Sequence, residues 1–325
     1  MNTQGIIGHD IQLSRIKMML QNGFMPQALL FSGIRGTGKR KIAMRLLMNL
    51  FCKEETKPCL ECKDCRLIEK NVHPDVIMLL PNEKGSIPIG EEGEEGTVRW
   101  LISRLAKKSA FGRYGVIIDG IENMSPGGQN ALLKTLEEPP ENTLIVMITE
   151  NKNLILPTIL SRASEIAFGP LSAPQLRGLL EERNIYGPCA AAAAGLSGGS
   201  VETAVFLSDE ENMAALKNIV ASAADFVKNR NAIADIDLEP LQKKIGPAAL
   251  MSILTNTFRA MLLSQIRGGA FPGVTHVDEE SLIKLIKISL SVSKGLRVNM
   301  LTNISFKGLL YSIDDLPNTG LPGFD

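Results

Sequence analysis

The sequence predicts an α/β nucleotide-binding domain followed by an all-helical half, and three observations predict it. A glycine-rich loop, Gly33-Ile34-Arg35-Gly36-Thr37-Gly38-Lys39-Arg40, directly follows an apolar run. Short apolar runs alternate with amphipathic stretches through the first half, the mark of a parallel sheet covered by helices. After Pro170 no further strand is convincing, and helical spacing takes over.

The elements follow in order. Asp10–Gln21 reads as a helix, Ala28–Phe31 as the first strand, and Gly38–Phe51 as the helix that the glycine loop opens into. Asp75–Leu80 reads as a strand. Pro81–Gly96, rich in Gly, Pro and Glu, reads as a solvated, mobile insertion; its glutamates Glu91, Glu92, Glu94 and Glu95 lack the ligand spacing of a metal loop. A helix is expected over Thr97–Ser109 and a strand over Tyr114–Ile118. A further helix, Gln129–Glu138, is stopped by Pro139-Pro140. Thr143–Ile148 and Glu165–Phe168 complete the expected sheet.

Ser172-Ala173-Pro174 has the form of an N-cap with an early helical proline and opens Gln175–Glu182. Cys189–Leu196 and Ser200–Leu207 flank the Ser197-Gly198-Gly199 turn as short helices. From Glu210 the helices lengthen: Met213–Lys228, Ala248–Ile266, Glu279–Val292 and Asn299–Ser312. In the second of these Leu250, Ile253, Leu254, Met261 and Leu262 share one face, which suits a bundle core and leaves room for packing against relatives. The expected division is a nucleotide-binding domain over 1–169, a small helical domain over 170–209 and a helical domain over 210–325.

A chain of 325 residues exceeds an ordinary single core. Lys+Arg and Asp+Glu are equal at 35 each, so no global basic field grips nucleic acid unaided. No apolar run reaches the roughly 18 to 20 residues that span a bilayer, and Met1 to Ile11 lacks a signal-peptide layout. The chain is therefore read as cytoplasmic, with no membrane partner.

The loop carries G-x-x-x-x-G-K with Arg40 where a phosphate-binding loop has Ser or Thr. Glycines wind backbone N–H groups around phosphate oxygens, the lysine reaches the β/γ-phosphates, and the last hydroxyl ligates magnesium. Gly33, Gly36, Gly38 and Lys39 supply all but that hydroxyl. The loop thus suits holding ATP or ADP, or keeping the fold that holds them, more than magnesium-dependent hydrolysis. Strand Tyr114–Ile118 runs into Asp119-Gly120-Ile121-Glu122. Asp119 stands where a carboxylate would help hold magnesium, or is a plain strand-end residue; its neighbour Gly120 leaves the water-polarising place empty, and Glu122 lies too far along to fill it. Thr149 either reads a γ-phosphate or is an ordinary strand hydroxyl. Arg162, after Ser161, can reach the γ-phosphate held by an adjacent subunit, although a lone surface arginine is more often a solvated charge.

Cys52, Cys59, Cys62 and Cys65 form C-x6-C-x2-C-x2-C, which suits a tetrahedral structural zinc site better than disulfides. Cys189 reads as packing. Lys53, Lys57, Lys63 and Arg66 near the knuckle lack an interleaved stacking series for nucleic acid.

Together the loop Gly33–Arg40, the knuckle Cys52–Cys65 with His73-Pro74-Asp75, the run Asn130-Ala131-Leu132-Leu133-Lys134-Thr135-Leu136-Glu137-Glu138-Pro139-Pro140, and Thr158-Ile159-Leu160-Ser161-Arg162 resemble bacterial DNA polymerase III clamp-loader subunits of the AAA+ class. The resemblance spans nearly the whole chain and is densest from Gln27 to Pro170. It implies a RecA-like domain, a small helical lid and a C-terminal helical collar that joins five subunits. Gamma/tau motor subunits of that family carry a magnesium-binding loop, paired acids and a lid arginine. This chain has Arg40, Gly120 and Glu202 at those places, and a carboxylate at the last would repel a triphosphate. The Ser-Arg pair is kept, followed by Ala163 in place of the usual Cys. The pattern resembles the delta-prime branch, which implies a stator giving Arg162 in trans to a gamma/tau ATPase, with delta, the sliding clamp and primer–template DNA as further partners. An active gamma/tau-like ATPase is the alternative.

Overall fold

The structure, a computed structural model, describes residues 2–229, 236–266, 277–295 and 302–311. It divides into two compact units, Met1–Pro170 and Leu171–Asp325.

The first unit runs α1 (Asp10–Gln21), β1 (Ala28–Ser32), α2 (Lys39–Phe51), α3 (Lys63–Glu69), β2 (Val76–Leu79), α4 (Val98–Leu105), β3 (Tyr114–Asp119), α5 (Pro126–Glu137), β4 (Thr143–Thr149), α6 (Pro157–Leu160) and β5 (Ser164–Ala167). All strand pairs are parallel, in the order β2-β3-β4-β1-β5. Both faces are covered, so β1 and β4 are buried at every position and read as continuous apolar runs. The alternation survives in which layer each residue enters. Leu30, Val116, Ile118 and Met147 meet Leu101, Leu132 and Leu136 of α4 and α5. Leu29, Phe31, Ile117 and Val146 meet Ile16 of α1 and Ile42, Leu46 and Leu47 of α2. Each such side chain, fully withdrawn from water, contributes about 1.5–3 kcal/mol.

Register brings the chemistry to one edge. Ser32 pairs with Thr149, and Asp119 with Ile148, so the phosphate loop, Asp119 and Thr149 all leave the carboxyl ends of neighbouring strands. That edge is where open parallel sheets bind ligands.

Helix bounds differ from expectation for local reasons. α5 starts at Pro126 because Ser125 caps it, its hydroxyl accepting from Gly128 N at 3.2 Å, with Pro126 in the first turn. α4 stops at Leu105, short of Ser109. α3 has too few residues for a periodic signal. The segment 81–96 is tied down at its middle. Ile87 is buried and donates its N–H to Asn123 O at 3.1 Å, while Pro88 O and Ile89 O accept from Val98 N and Arg99 N at 3.0 Å each. Residues 82–86 and 91–95 are exposed, as in a solvated insertion, but Ile87 and Ile89 anchor the stretch between them beside the start of α5.

The second unit contains α7 (Ala173–Glu182), α8 (Pro188–Leu196), α9 (Val201–Ser208), α10 (Glu210–Asn229), α11 (Glu239–Ile245), α12 (Pro247–Ile266), α13 (Glu279–Gly295) and α14 (Thr302–Tyr311). No strand occurs among its described residues. α7 opens with a capping box between Ser172 and Gln175. One apolar cluster joins Ala193 and Leu207 to Leu216, Leu254, Phe258 and Leu285. The expected helix Asn299–Ser312 is described from Thr302 to Tyr311, and positions 299–301 and 312 lie outside the described residues.

Candidate functional site

The phosphate loop has the backbone its glycines predict. Gly33 has φ +143°, and a Cβ there would lie 2.1 Å from Phe168 O, so only glycine fits between β1 and β5. Its N–H donates to Thr149 O at 3.1 Å, fastening the loop to the end of β4. Gly36 and Gly38 also have positive φ, and Gly38 precedes the first turn of α2. His9 packs on the loop from outside, its Nε2 donating to Thr37 O at 2.9 Å and its ring edge-on to Phe168. Burial holds the His9 pKa below the usual imidazole value.

Two of the loop's three basic residues, Lys39 and Arg40, are engaged by groups of this chain. Lys39 is buried, and its ammonium donates to Gly33 O at 2.7 Å and Ile34 O at 2.6 Å. Burial lowers its pKa, against the raising effect of Glu150, Asp119 and Glu122. Arg40 donates from Nε to Asp119 Oδ2 in a short ion pair. The guanidinium therefore lies on the carboxylate that a magnesium ion would need.

Gly120, Glu122 and Thr149 surround this pair. Gly120 has φ +81°, and a Cβ there would meet Asn123 Nδ2 at 2.4 Å, so an ordinary acidic residue is strained and crowded at that position. Glu122 accepts from Glu150 N at 2.8 Å, and its charge is felt by Lys39. Thr149 is fully buried, its hydroxyl accepting from Asn151 N at 3.0 Å. Gly33, Gly36, Gly38, Lys39, Asp119 and Thr149 are thus gathered at one sheet edge, with Lys39 and Asp119 paired to protein groups. Glu202 lies in the first turn of α9, in the other unit.

Arg162 follows α6, which begins at Pro157 and ends at Leu160. Its Nε donates to Glu137 Oε1 at 2.9 Å and one terminal nitrogen contacts the same oxygen at 2.5 Å. The other donates to Thr158 O at 2.8 Å and Ser161 Oγ at 3.2 Å. Sequence reasoning missed Gln129, which is buried on α5. Its amide donates to Met124 O at 3.3 Å and Leu154 O at 3.1 Å and accepts from Leu156 N at 2.8 Å, so it fixes the segment entering α6. An amide amid an amphipathic helix gives no periodic signal; only its place among apolar neighbours marks it.

The four knuckle thiols converge. Cys52 ends α2, Cys62 precedes α3 and Cys65 lies within it, and the Sγ atoms of Cys52, Cys59, Cys62 and Cys65 all lie within 4.8 Å of one another. Cys52 and Cys62 are 4.0 Å apart at sulfur. Zinc–thiolate bonds of about 2.3 Å at tetrahedral angles need sulfurs about 3.8 Å apart, so the set fits zinc. Backbone N–H groups of Cys62 and Glu61 lower the Cys59 pKa to about 7, while burial raises those of Cys62 and Cys65. His73 is no ligand: its ring lies between Phe51 and Phe111, Nδ1 accepts from Asp75 N at 3.2 Å, and Nε2 faces Asp64 Oδ1 at 3.8 Å.

Three comparisons relate the chain to known proteins. The family model described as DNA polymerase III, delta subunit, matches residues 8–172. The chain is 31% identical over 177 residues to DNA polymerase III subunit delta' of Bacillus subtilis, covering 53% of this chain and 52% of that protein. It is 34% identical over 179 residues to subunit tau of Escherichia coli, covering 54% of this chain and 27% of the relative. The match therefore spans about half the length of the first relative and about a quarter of the second. A crystal structure of a DNA polymerase III gamma subunit-related protein from Thermotoga maritima superposes with a TM-score of 0.50 at 15% identity, over 94% of this chain and 99% of that one, which shows the shared fold. With a parallel sheet opened by a glycine-rich loop, a helical second unit and these matches, the chain belongs to the family described as DNA polymerase III, delta subunit, and is similar to its delta' and tau subunits.

Proposed function

We propose that the chain is a non-hydrolysing stator of the DNA polymerase III clamp loader and supplies Arg162 in trans to a neighbouring gamma/tau ATPase. The observation that carries this reading is the Arg40–Asp119 pair. A divalent ion at a phosphate loop needs the loop's last hydroxyl and a strand-end carboxylate. Here a guanidinium replaces the first and covers the second, and its positive charge repels a cation at that place. Gly120 also offers no carboxylate at the position that follows Asp119.

In this reading ATP or ADP, when bound, lies along Gly33, Gly36 and Gly38, and Lys39 exchanges its loop carbonyls for phosphate. Residues 170–209 act as the lid and 210–325 as the collar of a hetero-pentamer with gamma/tau and delta. The assembly acts on the sliding clamp and primer–template DNA in replication. Cys52, Cys59, Cys62 and Cys65 hold a structural zinc ion, which fastens the knuckle to α2 and α3.

The purified chain is expected to hydrolyse ATP no faster than a protein-free blank at saturating magnesium. Brisk magnesium-dependent turnover, abolished by Lys39→Ala, would make it a gamma/tau-like motor instead. Mixing it with gamma/tau and delta is expected to give one complex by light scattering; failure to enter that complex would remove the stator role.

Arg40→Thr tests the pair directly. It restores a hydroxyl and frees Asp119, so magnesium is expected to tighten ATP binding by roughly tenfold, the scale of one charge-assisted contact. Turnover stays absent because Gly120 is unchanged. Calorimetry with magnesium and with a chelator reads the difference, and equal affinities in the two would show that Arg40 does not exclude the ion.

A further inference from the structure

The proposed finger is held by this chain's own acid. Arg162 has five N–H donors. Two face Glu137 Oε1, at 2.9 Å from Nε and 2.5 Å from a terminal nitrogen, and two more serve Thr158 O and Ser161 Oγ. Only one of these donors remains beyond those contacts.

Glu137 is fixed there by sequence. It is the last residue of α5, which Pro139-Pro140 prevent from continuing, while Leu132 and Leu136 anchor the helix in the core. A carboxylate at a helix C-terminus stands against the negative end of the helix dipole, so a guanidinium placed on it is favoured by both. Both side chains are part-exposed, Arg162 at 34% and Glu137 at 47%, so the pair is weak enough to exchange and open to an incoming anion.

We propose that Glu137 is a holster for Arg162: it keeps the guanidinium against α5 until a phosphate of higher negative charge, the terminal phosphate of a neighbour-bound nucleoside triphosphate, takes its place. This rests on the reading of Arg162 as a finger acting in trans. The carboxylate has one negative charge, whereas a terminal phosphate has more and three acceptor oxygens, so the exchange favours the phosphate when the neighbour is loaded. Thr158 O and Ser161 Oγ stay on the opposite edge of the guanidinium and guide its swing. Glu137 is a positioning residue, acting only through Arg162.

The test uses the complex reconstituted with gamma/tau and delta, with ATP as the probe. Glu137→Gln keeps the shape and an acceptor but removes the charge. It is expected to lower the KM for ATP about twofold to fivefold, the span of one exposed ion pair, without lowering kcat. Combined with Arg162→Ala, it is expected to have no further effect. In the isolated chain the Arg162 Nε–H is expected to exchange with solvent faster in Glu137→Gln, read by nitrogen-15 NMR. An unchanged or raised KM, a fallen kcat, an effect that persists without Arg162, or an unaltered Nε–H would each overturn the holster. If Arg162→Ala itself leaves turnover untouched, the finger reading falls instead, so the two failures are separable.

Discussion

Arg162→Ala is expected to slow hydrolysis in the pocket facing this chain by ~10³-fold or more, the scale of an arginine finger. The expectation comes from charge. As the γ-phosphoryl group leaves, negative charge grows on its oxygens, and a guanidinium supplied from outside stabilises it without rearranging the motor's own loop. The scaffold is suited to this. Pro157 sets the first turn of α6, Gln129 fixes Leu154 and Leu156 just before it, and Ser161 and Thr158 hold one edge of the guanidinium. The phase of ATP hydrolysis belonging to that pocket should vanish in rapid-quench experiments, while assembly by light scattering stays intact. Arg162→Lys should recover only part of the loss, because an ammonium cannot present two parallel donors. A full-amplitude phase in the alanine variant would remove the assignment.

How much of this was legible depends on which residues carry a rule of their own. The loop was legible because glycines and a lysine at fixed spacing have one common use, and Gly33 and Gly38 occupy the backbone expected of them. The four cysteines were legible by spacing, and their sulfurs converge. What sequence left hidden is pairing. Nothing in the order of residues says that Arg40 reaches Asp119, that Lys39 turns onto Gly33 O and Ile34 O, or that Glu137 takes Arg162, because each contact spans a turn or separate elements. Composition alone describes the exposed parts of 81–96 but hides its anchor: Gly, Pro and Glu outnumber Ile87 and Ile89, yet those two isoleucines decide its attachment. α5 begins three residues before the expected Gln129 because the Ser125 cap with Pro126 outweighs the weak helix propensity of Gly127 and Gly128.

Cys62→Ser is expected to release zinc and loosen the region from the end of α2 through α3. Structural zinc sites in small peptides have apparent binding free energies of ~10–16 kcal/mol, so the loss of one thiolate removes a large share of local stability. The effect should spread inward, because Cys52 and Cys65 pack in one cluster with Met48 and Phe51 of α2 and Ile68 of α3. Metal analysis of freshly purified, reduced protein should give one zinc per wild-type chain and none in the variant. Hydrogen exchange should rise over residues 52–69 before it rises in β1 or β4. Acid acts in the same direction. Zinc needs thiolates, and burial raises the pKa of Cys62 and Cys65, so protons compete at those two thiols well before they do at Cys59. Affinity should therefore fall as pH is lowered and return when it is raised. Zinc-free wild-type protein with the same melting profile and the same exchange as the loaded form would show that the thiols cluster for packing alone.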